Sequence, residues 1–327
     1  MKSALNPSVG KKVKEKSKRK KHMTVKDVVT ELRKNKLVYA MMTPSILWVL
    51  IFSYIPMIGI VIAFKNYNMS QGIFESPWSG LENFEFLFRH KDIWQITFNT
   101  IYLNALFILI GTFTSVFLAL MFVEIKNKFL KKLSQSIAIL PHFVSWAIVS
   151  MFLVGFLSTK GIANNLLVSL GAEPIQFYTN PKPWRVILVI AKVWQSAGFG
   201  TVVYVATITG LDFGVYEAAT IDGASRLQKI TKITIPLIRP TIIMLTIMNV
   251  GGIFRGDFGM IYALVGDNAS LFPTIDVVDT FTYRALRTLG DMGMSTATSL
   301  FQSVIGLLMV MGTNALAKKL EPDSAIF

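Results

Sequence analysis

From residue 98 to 123 the chain reads FNTIYLNALFILIGTFTSVFLALMFV, without a single Asp, Glu, Lys or Arg. A helix needs about 20 such residues to cross the hydrocarbon core of a bilayer, so this stretch sets the fold class: its natural solvent is lipid. Five further runs of similar character flank it, at residues 37–64, 133–157, 186–209, 241–265 and 296–317. Arg255 and Asp257 interrupt the fifth. Six transmembrane helices predict an all-α, polytopic membrane helical bundle. Composition agrees. Of 327 residues, 52% are hydrophobic and 16% charged, and the mean hydropathy of +0.51 lies well to the apolar side of soluble domains.

The net charge of +14 is concentrated at one end. Thirteen of the 33 Lys and Arg precede residue 37, among them Lys11, Lys12, Lys14, Lys16, Lys18, Arg19, Lys20 and Lys21. Beside a membrane segment such a tail attracts anionic lipid, at about 1 kcal/mol per near-surface charge. No aromatic or sheet-like pattern joins the lysines to suggest nucleic acid. Residues 1–36 therefore read as a basic cytoplasmic tail and 37–327 as the transmembrane domain. The first apolar run is too late and too long for a cleaved signal peptide. The absence of cysteine excludes disulfides, thiol catalysis and cysteine metal sites.

Basic residues also set the expected orientation. The tail, the turn with Lys126, Lys128, Lys131 and Lys132, the loop with Arg226, Lys229, Lys232 and Arg239, and Lys318 with Lys319 hold 23 of the 33. The alternate loops hold 8, and Lys192 and Arg255 fall inside spans. N and C termini are both expected in the cytoplasm. Pro44, Pro56 and Pro141 fall within spans, where membrane helices tolerate proline as a kink.

One cytoplasmic loop, residues 210–240, stands out. Glu217 to Ile221 are helix formers, Gly223 suits a left-handed turn, and Ser225 with Gln228 has the spacing of a capping box. Pro236 and Pro240 read as the start of the fifth span. Two short helices and a break are expected. From the residues alone, an ordinary connecting loop and a knob that docks into a soluble partner fit equally well.

The pattern resembles the EAA motif of permeases from binding-protein-dependent ABC importers. The match falls on Glu217, Ala218, Ala219, Asp222, Gly223, Ala224, Ile233 and Pro236 at the motif's fixed spacing, with Ile230 and Ile235 as mild departures. Tyr54-Ile55-Pro56-Met57-Ile58-Gly59, Gly80-Leu81-Glu82-Asn83-Phe84, Leu140-Pro141-His142-Phe143 and Asp276-Val277-Val278-Asp279 are similar to the LplB-like branch of carbohydrate permeases. The resemblance runs from about residue 37 to the C-terminus.

That resemblance implies a multi-pass bacterial cell-membrane protein translocating an oligosaccharide. Its implied partners are a second permease in a heterodimer, two ABC ATPase subunits and an extracellular solute-binding protein. Glu217, Ala218, Ala219, Asp222, Gly223, Ala224, Ile235 and Pro236 would form the ATPase-coupling surface. No G-x-x-x-x-G-K-[ST] phosphate loop occurs, so ATP and Mg²⁺ are expected on the partner ATPase and no cofactor on this chain.

Polar residues in spans are the candidate substrate pathway: Asn104, Lys192, Trp194, Gln195, Asn249, Arg255 and Asp257. Charges at mid-membrane are costly and usually face a cavity or a partner. Each has a plainer reading too. Asn104, Gln195 and Asn249 suit interhelical bonding, Trp194 and Trp146 interfacial anchoring. Arg255 and Asp257, two apart, do not face each other on a helix, and Asp257 is placed to meet the sister permease. His142 is placed to bond a carbonyl freed at Pro141. His22, His90 and His142 are too scattered for a metal site. Outer segments around residues 78–88 and 267–287 are read as docking loops for the binding protein. Arg255 points weakly to an acidic sugar.

Two rivals remain. An ion-coupled secondary transporter needs acidic ligands at mid-span and usually a repeat, and neither is found. A non-transport membrane scaffold fits the topology but not the motif. No catalytic constellation argues for an enzyme.

Overall fold

The computed structural model describes residues 34–85 and 92–320. The basic tail through residue 33, and residues 86–88 of the expected outer loop, lie outside the described residues. Among the described residues, six helices are long and apolar enough to cross a membrane: Lys36–Phe64, Ile93–Glu124, Trp146–Ser169, Trp184–Thr209, Arg226–Val250 and Met292–Lys319. No strand pairs form among the described residues beyond an isolated bridge between Lys65 and Trp78.

Residues up to Ile58 form one unit and those from Gly59 another. In the first, α1 (Lys36–Val49) buries none of its residues. Its continuation widens to a π turn at Leu50–Tyr54, where the Ile55 N–H reaches back to the Leu50 carbonyl. Pro56 follows. It cannot donate to the carbonyl four residues earlier, and its ring crowds that carbonyl. The wider turn removes the conflict without ending the helix.

The second unit is built around α2 (Ile93–Glu124) and α6 (Trp184–Thr209). Between them come α3 (Lys128–Ile139), α4 (Trp146–Leu157) and α5 (Ile162–Ser169). Leu103 and Phe107 of α2 pack with Trp184 and Leu188 of α6, and with Met260, Ile261 and Leu264 of α9 (Phe258–Val265). Further along the pair, Ala119, Tyr204 and Ile208 pack with Ile238. Hydrogen bonds join the two helices between these clusters. Ser115 Oγ donates to the Ala197 carbonyl at 3.0 Å, and Thr201 Oγ1 to that of Ser115 at 3.2 Å. Small hydroxyl residues serve this role where lipid offers no hydrophobic drive for helix association.

Two expected spans are revised. Residues 133–157 are not one helix. The amphipathic α3 ends at Ile139, the chain turns through Pro141, and α4 begins at Trp146. Pro141 supplies no N–H to the turn it enters; Leu140 before it keeps helical backbone, and the chain becomes extended at Val144. The third long apolar helix is Trp146–Ser169, itself interrupted between α4 and α5. The fifth begins earlier than expected and ends at Val250, before Gly251 and Gly252. Pro236 does not start it. The α8 helix (Arg226–Val250) runs through the position by widening at Ile230–Thr234, with the Ile235 N–H on the Ile230 carbonyl. This is the device already seen ahead of Pro56. Beyond α9 come α10 (Val278–Leu289) and α11 (Met292–Leu320).

Candidate functional site

Two features stand out: an elbow and a cavity. The elbow begins at α7 (Phe213–Ile221), capped by Asp212, whose Oδ1 accepts the Gly214 N–H at 2.9 Å. Gly223 has φ +77°. The Ala224 N–H bonds the Ala219 carbonyl at 2.9 Å and the Gly223 N–H that of Thr220 at 3.1 Å, the paired closure of a Schellman end. Ser225 then opens α8 with the expected capping box, Gln228 Oε1 accepting the Ser225 N–H and Ser225 Oγ accepting the Gln228 N–H. Two cross-ties fix the bend. Lys229 Nζ donates to Thr220 Oγ1 at 2.7 Å, and the Tyr216 and Thr234 hydroxyls lie 2.9 Å apart.

Glu217, Ala218, Asp222 and Gly223 are exposed on this elbow, while Ala219 and Ala224 are half-buried. Ile235 and Pro236 sit further along the α8 shaft, also exposed. Three large apolar side chains of the elbow are also exposed, Phe213, Leu227 and, at 86%, Ile221.

The cavity, about 500 Å³, lies between α2, α6 and the end of α8. It brings together five of the seven expected pathway residues: Asn104, Lys192, Asn249, Arg255 and Asp257. Breaks in the helices supply part of its wall, His142 from the turn before α4 and Arg255, Gly256 and Asp257 from the turn before α9. Discontinuous helices at a pathway are how membrane proteins present backbone and polar groups at depth.

Asp257 does not need a sister subunit for a counter-charge. Its Oδ2 lies 2.7 Å from Lys192 Nζ, and its Oδ1 accepts the Met260 N–H to cap α9. Arg255 does not pair with it; Nη2 donates to Ser303 Oγ at 3.0 Å. Asn104 braces the break, its Nδ2 reaching the carbonyls of Thr100, Ile253 and Arg255 at 2.9–3.0 Å. Asp279 braces it from α10, accepting from the Gly256 N–H and from Gln302 Nε2, which also donates to the Phe254 carbonyl. Burial pushes the Asp279 carboxyl up, and these donors oppose the shift.

Two expected residues lie elsewhere. Trp194 lines a shallow groove with Tyr102 and Arg185 on another face of the α2–α6 pair, and Gln195 Nε2 donates to the Val144 carbonyl at 3.4 Å. His142 does not use Nδ1 on a freed carbonyl. That atom is buried without a partner, and the ring stacks on Phe199 at 4.2 Å. Of the cavity's polar lining, Thr112, Ser115, His142, Ser196 and Tyr204 lie outside the expected pathway set.

The chain is similar to known proteins. The chain is 37% identical over 295 residues to the polygalacturonan/rhamnogalacturonan transport system permease protein YteP of Bacillus subtilis, covering 90% of this chain and 91% of that one. It is 35% identical over 293 residues to Protein LplB of the same organism, covering 89% and 92%. It superposes, with a TM-score of 0.80 and 35% identity, on a chain of a bacterial alginate ABC transporter crystallised with an alginate pentasaccharide-bound periplasmic protein, covering 89% of this chain and 97% of the other. Residues 108–322, which contain the elbow and nearly all of the cavity, match the family model itself. The chain is a multi-pass membrane protein of the family of binding-protein-dependent transport system inner membrane components.

Proposed function

We propose that this chain is one of two different permease subunits of an ATP-driven importer of acidic oligosaccharides. The observation that supports this most is one helix. The α8 segment, Arg226–Val250, has the exposed elbow at its start and the cavity-lining Asn249 at its end. At about 1.5 Å per residue it is a rod of about 37 Å, long enough to relate a cytoplasmic partner to a site within the membrane. In this reading the elbow sits in a cleft of an ATPase subunit that binds ATP and Mg²⁺. Glu217 meets a basic group there, Asp222 and the three alanines shape the contact, and Ile235 and Pro236 stiffen the shaft. Both termini and the basic tail face the cytoplasm.

The cavity's charge supports an acidic cargo: Lys192 and Arg255 are set against Asp257 among its charged lining residues, with the Asp279 carboxylate behind the lining acting on Arg255. Relatives named for polygalacturonan and alginate handle uronate polymers, which agrees. An extracellular binding protein delivers the sugar. The test is reconstitution of this chain in liposomes with its sister permease, ATPase and binding protein. ATP-dependent accumulation of trigalacturonate is expected. Hydrolysis without accumulation of any uronate oligosaccharide would overturn the substrate class.

A further inference from the structure

The Lys192–Asp257 pair is not sealed. The two side chains retain 29% and 24% exposure, and both line the cavity. Lys192 is steadied by the Trp146 ring, 5.9 Å from its Nζ. Asp257 has a separate anchor, the Met260 N–H at 3.1 Å on its other oxygen. The pair also ties α6 to the break that precedes α9. Arg255, in the same lining, has a neutral hydroxyl as its hydrogen-bond partner.

We propose that Lys192 is the seat for a substrate carboxylate, and that Asp257 occupies the seat in its absence as an internal stand-in for a uronate. This rests on the acidic-oligosaccharide reading. A uronate that displaces Asp257 Oδ2 gives Lys192 an equivalent charge-assisted bond. The displaced Asp257 keeps the Met260 amide and the favourable end of the α9 dipole. One carboxylate replaces another, so the exchange is nearly balanced. A neutral sugar has no such exchange. Asp257 gives up its counter-ion to either cargo and keeps only its α9 cap, but a neutral hydroxyl leaves Lys192 without a carboxylate as well, and low-dielectric surroundings penalise that second unpaired charge heavily. The pair therefore discriminates by penalising the wrong cargo as well as binding the right one. Opening it also releases α6 from the α8–α9 break, so occupancy by the correct cargo loosens the cavity end of the helix that bears the elbow.

The test uses the complete transporter in proteoliposomes and compares ATP-dependent uptake of trigalacturonate with that of the same trisaccharide after reduction of its carboxyls to primary alcohols. One binding protein serves every arm, so a change in the acid-to-neutral ratio between variants belongs to this chain. Lys192→Gln with Asp257→Asn removes both charges and keeps polar groups and the α9 cap; the ratio is expected to fall about tenfold, the scale of one charge-assisted bond. Asp257→Asn alone vacates the seat, and the ratio is expected to rise several-fold at low substrate. A wild type that takes both sugars alike overturns the acidic reading and the proposal with it. A wild type that prefers the acid, with the preference intact in the double variant or unmoved by Asp257→Asn, overturns the proposal alone.

Discussion

The carbonyl oxygen of Ala138 lies so close to the α-carbon of Gly198 that a β-carbon there would sit 1.7 Å from it. The contact is backbone against backbone, so no side-chain rotation relieves it. Gly198→Ala is expected to force α3 off α6 at about 2–3 kcal/mol and to lower the melting temperature of the detergent-purified complex by several degrees. An unaltered melt would mean that α3 is free to shift.

Asn104 is a brace for the broken segment before α9. Asn104→Leu leaves the Ile253 and Arg255 carbonyls without that donor, at about 1 kcal/mol for each bond lost. Amide exchange across residues 251–257 should accelerate while the middle of α2 stays protected. Mass-spectrometric exchange on the reconstituted complex reads this directly.

At Gly223 a β-carbon would meet nothing within 4 Å, yet φ is +77°. Substitutions there act through backbone strain, about 1–2 kcal/mol for an ordinary side chain in the left-handed region and least for Asn. Gly223→Val should impair substrate-stimulated ATP hydrolysis more than Gly223→Asn does, although both are bulkier than glycine. Equal damage from the two would point to crowding by a partner instead.

Arg284 grips Asp276 with both prongs, Nη1 on Oδ1 and Nη2 on Oδ2, and its guanidinium lies 4.0 Å from the Phe272 ring centroid. The Asp276 side chain is only 6% exposed. Arg284→Met should destabilise the 269–290 segment by about 3 kcal/mol, because a carboxylate is left unpaired in a dry place. Adding Asp276→Asn should recover much of that loss, since no unpaired charge remains. Limited proteolysis of the segment in the two variants provides the comparison.

The six long helices were legible because a bilayer demands about 20 apolar residues in a row and little else has that signature. Hydropathy is blind to breaks, however. A window over residues 241–265 averages across Gly251 and Gly252 and merges the end of α8 with α9. Pro236 looked like a start because proline commonly sits in a first turn, whereas a π turn let the helix pass through it. The elbow was readable almost residue by residue, because caps and left-handed glycines are local chemistry. The cavity was readable in part. Lys192, Ser196, Phe199 and Val203 share one face of α6 at helical spacing, and Trp194 lies about 200° around from Lys192, so periodicity alone could have set it apart. His142 belongs to a turn with no periodic pattern, and only its neighbour Pro141 marked the spot.

The widened turn at Ile230–Thr234 fixes a phase. A π turn holds about one residue more than an α turn, and each residue advances an α-helix by about 100°. The azimuth at which Asn249 meets the cavity is thus dialled by residues more than three turns away, near the elbow. Deleting Thr231 from that turn would leave the Asp212 and Ser225 caps and the Lys229–Thr220 tie in place, yet swing the far end of the shaft by more than a quarter revolution. Length, as much as composition, is specified between the two ends of α8.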